Sequence, residues 1–95
     1  MKKNFPLQAP GKDDARVRDK IRHEVNKYVR RERQKKLPEG FGLWTFTCQV
    51  GASQTATETK PLKEVGGAID VVAQTGAPEV YIEILAAPGL RKFPA

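Results

Sequence analysis

The most regular pattern in the chain is an apolar stripe at helical spacing over residues 13–36. Apolar residues recur there every three or four positions, which places them on one side of an α-helix. Asp13 or Asp14 is suited to cap the start of this helix, because a carboxylate accepts hydrogen bonds from the first free amides. Leu37 precedes Pro38 and is disfavoured in helical backbone, so the helix is expected to end there. The stripe consists of Val17, Ile21, Val25, Tyr28 and Val29.

Two other segments alternate between apolar and polar residues, which is the pattern of strands that bury one face. The first strand is predicted over residues 41–50 and the last over residues 79–86. We expect the apolar face of each strand to lie against the helices, with Trp44 substantially buried there. The inward-facing residues are Trp44, Phe46, Cys48, Val50, Val80, Ile82 and Ile84, and Tyr81 and Glu83 face outward.

A second helix is predicted between Pro61, which suits a first turn, and Gly76, which suits a C-terminal stop. Gly66 and Gly67 inside it each cost about 1 kcal/mol relative to alanine, so this helix depends on packing. Its apolar stripe is Leu62, Val65, Ile69 and Val72.

Two weak segments each allow two interpretations. Residues 3–7 form a short strand or part of an extended lead, and Pro6 would confine such a strand to an edge of the sheet. Residues 55–59 are polar but tolerate strand geometry, so they form either the second strand of a hairpin or a loop.

The element order (β)αβ(β)αβ predicts an α+β two-layer sandwich, with two helices packed on one face of a small, mostly antiparallel sheet. A ferredoxin-like arrangement fits if both weak strands form, and a simpler αββαβ layout fits if the first does not. The 95 residues allow one small domain. We divide the chain into an extended basic lead (1–12), a single domain (13–86) and an irregular C-terminal tail (87–95).

Several runs of the chain resemble a family of small, uncharacterised bacterial proteins, and the resemblance covers nearly the whole length. It implies a bacterial, single-domain origin and transfers no functional site. The runs are Met1-Lys2-Lys3-Asn4-Phe5-Pro6-Leu7, His23-Glu24-Val25, Arg30-Arg31-Glu32-Arg33, Leu37-Pro38-Glu39-Gly40, Trp44-Thr45-Phe46-Thr47-Cys48 and Tyr81-Ile82-Glu83-Ile84-Leu85-Ala86.

Cysteine content and hydropathy favour the cytoplasm. The single cysteine, Cys48, cannot form an internal disulfide, so an oxidising compartment is not implied. Met1-Lys2-Lys3 resembles the start of a signal peptide, but the following residues lack the required apolar run. No stretch approaches the roughly 20 apolar residues of a membrane span.

The net charge of +6 comes entirely from the first predicted helix. Residues 16–36 contain ten basic and three acidic residues, or +7, which leaves −1 for the rest of the chain. At 100° per residue, Arg16, Lys20, His23, Lys27 and Arg30 fall opposite the apolar stripe. Such a surface attracts polyanions, because phosphate neutralisation supplies most non-specific affinity for nucleic acids.

We therefore expect the protein to bind nucleic acid through this helix, with RNA preferred because no DNA-reading motif is recognisable. A solvated face, which keeps a small protein soluble, is the simpler interpretation of the same charges. An acidic protein surface is another possible partner, and an interaction or structural module that uses the exposed sheet face or a strand edge is the alternative function. The candidate nucleic-acid-binding residues are Arg16, Lys20, Arg22, His23, Lys27, Arg30, Arg31 and Arg33.

The sequence offers no recognisable catalytic chemistry, so we do not expect an enzyme or a cofactor. One histidine and one cysteine are too few for a zinc site, which needs about four ligands. Cys48 alternates inward and is expected to be buried and inert. Nor is membrane binding expected, because the apolar side of the helix is needed by the core and lacks bulky anchors.

Overall fold

Two helices and four strands make up the protein in a computed structural model that describes residues 1–89. A single 3₁₀ turn, Leu62–Glu64, leads into the second helix. Within these residues neither helix is long and apolar enough to cross a membrane. The elements are β1 (Lys2–Pro6), α1 (Asp14–Arg33), β2 (Trp44–Gly51), β3 (Thr57–Lys60), α2 (Val65–Gln74) and β4 (Glu79–Pro88).

The four strands form one sheet in the order β1-β4-β2-β3, and each neighbouring pair is antiparallel. Consequently β1 and β2 are parallel to each other and have β4 between them. In the same way, β3 and β4 are parallel to each other and have β2 between them. Each helix thus connects two strands that are separated by a third. The predicted α+β class with an antiparallel sheet is confirmed.

Both helices cover the same face of the sheet, because their apolar stripes join one buried cluster with the inward-facing strand residues. Val80, Ile82 and Ile84 of the central strand β4 are completely buried, as is Cys48 of β2. The predicted inward positions of β4 are confirmed, and so are the two helix stripes, of which Tyr28, Leu62 and Val72 are only partly buried. The helices contribute Val17, Ile21, Val25, Val65, Ala68 and Ile69 to this cluster.

Both weak segments are strands at the edges of the sheet. Phe5 of β1 lies opposite Val80 of β4 and is buried, so part of the predicted lead belongs to the sheet. β3 starts at Thr57 and pairs with the end of β2. β4 runs two residues beyond the predicted strand, to Pro88, because Trp44 of β2 lies opposite it. The rest of the predicted tail, residues 90–95, lies outside the described residues.

Trp44 lies on the predicted face of β2 but not in the core. Its side chain is only half-buried, and its indole Nε1 donates a 3.0 Å hydrogen bond to the carbonyl of Lys35, just beyond the end of α1. The expectation of substantial burial is therefore wrong. Since α1 ends at Arg33, three residues before the predicted end, no helical turn remains to cover the indole.

We expect Trp44→Phe to lower the free energy of unfolding by about 1 kcal/mol, because it removes one hydrogen bond and little buried area. Urea unfolding followed by far-ultraviolet circular dichroism measures the change without depending on tryptophan fluorescence. A loss above about 3 kcal/mol, typical of a core aromatic, would contradict the peripheral position.

Candidate nucleic-acid interface

The outer surface of α1 carries a row of exposed basic residues. The helix begins after Asp13, whose carboxylate accepts a 3.2 Å hydrogen bond from the Ala15 amide. Val17, Ile21, Val25 and Val29 bury the opposite side, which fixes the outer face in solvent. From first to last, the row extends about 21 Å at 1.5 Å per residue. We call these residues the basic ridge: Arg16, Lys20, His23, Lys27 and Arg30, all exposed.

No ion pair involves the basic ridge within residues 1–89. Three acidic residues of α1 form ion pairs, and each pairs with a cation outside the ridge. These carboxylates therefore do not neutralise the charge of the ridge. These pairs are Asp19 with Arg22, Glu24 with Lys3, and Glu32 with Lys35, at 2.8, 3.6 and 2.8 Å.

Arg22 belongs to the interface between the two helices rather than to the ridge. Its guanidinium is bound by Asp70 of α2 and, at 2.8 Å, by Asp19. Arg18 also binds Asp70, with its Nε 3.0 Å from the carboxylate. Arg22 is half-buried and already neutralised, so it contributes less to an anion-binding surface than its sequence position suggests.

Arg31 and Arg33 lie on the two flanks of α1, and each stays exposed while its guanidinium lies near an aromatic ring. Arg31 is 6.0 Å from the ring centre of Tyr28, and Arg33 is 5.5 Å from that of Phe46. Cation–π contacts at exposed sites contribute about 0.5–1 kcal/mol, so both side chains also support the fold. Of the eight candidate residues, five thus form one row and three lie beside it.

Within residues 1–89, the face of the sheet that the helices leave uncovered offers no exposed aromatic surface for base stacking. Tyr81 points to this face but is only 4% exposed, which differs from the solvent-exposed position expected for an outward residue. Gly51 lies opposite Tyr81 in the register. The Tyr81 hydroxyl donates a 2.9 Å hydrogen bond to Glu83, and burial followed by this contact raises the tyrosine pKa.

The single cysteine has no access to solvent. Cys48 is fully buried, and burial raises the pKa of its thiol, so the neutral, unreactive form is favoured at physiological pH. His23, the single histidine, is exposed on the basic ridge. Among residues 1–89 no group of three or more histidine, cysteine or acidic side chains is arranged to hold a metal ion.

Sequence patterns missed two cations that come close to the ridge. Lys3 of β1 lies 3.6 Å from Glu24, and together with Lys12 it borders the same groove as Arg16 and Lys20 of α1. Lys3 and Phe5 are two residues apart on β1 and therefore share a face, and the pairing of β1 with β4 brings that face next to α1.

Fold and surface together define a small antiparallel α+β sandwich with a basic helix on its outside. The chain belongs to a family of unknown function (DUF6172), whose model matches residues 1–94. Comparisons with curated proteins and with solved structures found no match.

Proposed function

We propose that this protein binds nucleic acid, RNA in preference to DNA, through the basic ridge of α1. The observation that supports the proposal most directly is the pairing of charges. Asp19, Glu24 and Glu32 bind cations outside the ridge, whereas the ridge residues have no carboxylate partner within residues 1–89. A row of unneutralised cations on a rigid helix is suited to bind successive phosphates.

The ridge has an arginine at each end with two lysines and a histidine between them, and this composition suits contacts with a phosphate backbone. Arg16 and Arg30 can each bind a phosphate through two N–H groups, while Lys20 and Lys27 act as point charges between them. Backbone contacts of this kind carry no base specificity. We therefore infer binding that depends on charge and shape rather than on sequence.

The preference for RNA rests on the lack of a recognisable DNA-reading motif in the sequence. We place the protein in the bacterial cytoplasm, supported by the sequence resemblance and by the single cysteine, which cannot form an internal disulfide. An acidic protein partner would bind to the same ridge. Competition between that partner and RNA for the ridge distinguishes the two.

The alternative function, protein interaction through the sheet, has less support. The uncovered face exposes Leu85, 46% accessible, among mainly polar residues, and this is not a large apolar patch. The β1 edge carries Lys2, Lys3 and Pro6, features that discourage pairing with another strand.

Binding of the wild-type protein to short RNA and DNA duplexes and single strands, measured by fluorescence anisotropy, tests the proposal. With four permanently charged ridge residues engaged, the log–log salt slope is expected to be about −3.6 for duplex DNA and about −2.8 for single strands. Absence of binding to every probe at about 50 mM salt would reject the function.

A further inference from the structure

A groove of about 380 Å³ lies between β1 and the first half of α1. Its floor is apolar and includes Phe5, Val17 and Ile21. The segment that follows β1 closes one end with Ala9 and Lys12, where a turn is fixed by the hydrogen bond from the Lys12 amide to the Ala9 carbonyl. This volume is near the lower limit of ligand pockets, so the groove fits a small molecule or one unit of a polymer.

The rim of the groove is strongly cationic. Four basic side chains surround it, and Glu24 is the one acidic residue in its lining, which leaves a formal charge of +3. Lys3 pairs with Glu24 at 3.6 Å, but its side chain is 57% exposed, so the pair is weak and readily exchanged for another anion. The basic residues are Lys3, Lys12, Arg16 and Lys20.

Both the charge and the position of the groove indicate its occupant. A carboxylate would neutralise one of the three excess charges, whereas a phosphate monoester carries about −1.5 to −2 at neutral pH. Arg16 and Lys20 belong to the groove and to the basic ridge at once, so a strand that follows the ridge reaches the groove directly.

We propose that this groove binds one nucleoside monophosphate unit, with its base on the apolar floor and its phosphate between Arg16 and Lys20. The inference rests on the proposed function and makes it more specific, because the 5′-terminal nucleotide of a strand, whose phosphate is a monoester, would enter the groove while the remaining phosphates lie along the ridge.

The test uses adenosine monophosphate, adenosine, inorganic phosphate and hexanoate as probes, with backbone amide chemical shifts of the full chain as the readout. Adenosine monophosphate is expected to shift amides of β1, residues 9–12 and the first half of α1. The three other probes are expected to bind about tenfold or more weakly, since adenosine lacks the phosphate, inorganic phosphate lacks the base and hexanoate lacks both. Equal binding of hexanoate would overturn the assignment to a nucleotide.

Paired variants separate the groove from the ridge. The double variant Arg16→Gln with Lys20→Gln is expected to weaken adenosine monophosphate binding about tenfold. The matched control, Lys27→Gln with Arg30→Gln, removes the same charge from the distal ridge and should leave mononucleotide binding within about twofold. Glu24→Gln removes the one negative charge from the lining of the groove and should therefore tighten the binding of adenosine monophosphate.

Failure of this inference and failure of the proposed function give different results. If RNA binds with the expected salt dependence but adenosine monophosphate shifts no groove amide, the groove assignment is wrong and the ridge remains. If the mononucleotide binds in the groove but no RNA or DNA binds, the function through the ridge is wrong. If both double variants weakened mononucleotide binding equally, binding would depend on general charge attraction, and the assignment of the nucleotide to the groove would be wrong.

Discussion

Ile82→Ala is expected to lower the free energy of unfolding by about 2–5 kcal/mol, the range for truncating a fully buried isoleucine. Ile82 lies on the central strand β4, opposite Val50, and has no solvent-accessible surface. A domain of this size is stable by only about 5–15 kcal/mol, so the variant is expected to unfold at much lower denaturant concentration and to be partly unfolded if the total is small. Urea unfolding followed by circular dichroism measures the change.

Leu85→Ala is the matched control for this experiment. Leu85 is on the same strand but on the uncovered face, where it is 46% exposed. We expect its truncation to change stability by less than about 1 kcal/mol. A similar loss for both variants would mean that the second face of the sheet is also packed, which would contradict the two-layer arrangement.

Much of this fold could be predicted because its central elements have strong local patterns. The stripe of α1 and the alternation of β4 each mark one apolar face, and the same residues form the core. Edge strands were ambiguous because β3 contains Thr57, Glu58, Thr59 and Lys60, whose polarity is equally compatible with a loop. β3 is a strand because its backbone pairs with β2, and the local sequence pattern carries no information about that pairing.

The candidate site was predictable only in part, because side-chain partners come from distant segments. Arg22 and Asp70 are 48 residues apart, so helical spacing alone suggested that Arg22 was available for phosphate. Tyr81 was expected to be exposed because it alternates outward on β4, yet its surroundings on the uncovered face bury it. Helical geometry did place the ridge residues opposite the core, since that depends on α1 alone.

Replacing Arg16, Lys20, Lys27 and Arg30 with glutamine is expected to abolish RNA binding at about 50 mM salt. The variant lowers the net charge from +6 to +2 by removing four positive charges. Glutamine keeps helix propensity, and the four side chains are exposed, so the free energy of unfolding should change little. Arg33 remains unchanged because it lies on a flank of α1, with its guanidinium 5.5 Å from the centre of the Phe46 ring.

A second fourfold variant, with glutamine at four exposed lysines outside the ridge, separates position from total charge. It also has a net charge of +2, yet it should retain most of the wild-type affinity and salt slope, because all five residues of the ridge are unchanged. The substituted residues are Lys2, Lys35, Lys36 and Lys63. If both variants lose binding equally, total charge and not the ridge determines affinity. If the ridge variant still binds like the wild type, the row of unpaired cations on α1 has no part in binding, and the proposed interface is wrong.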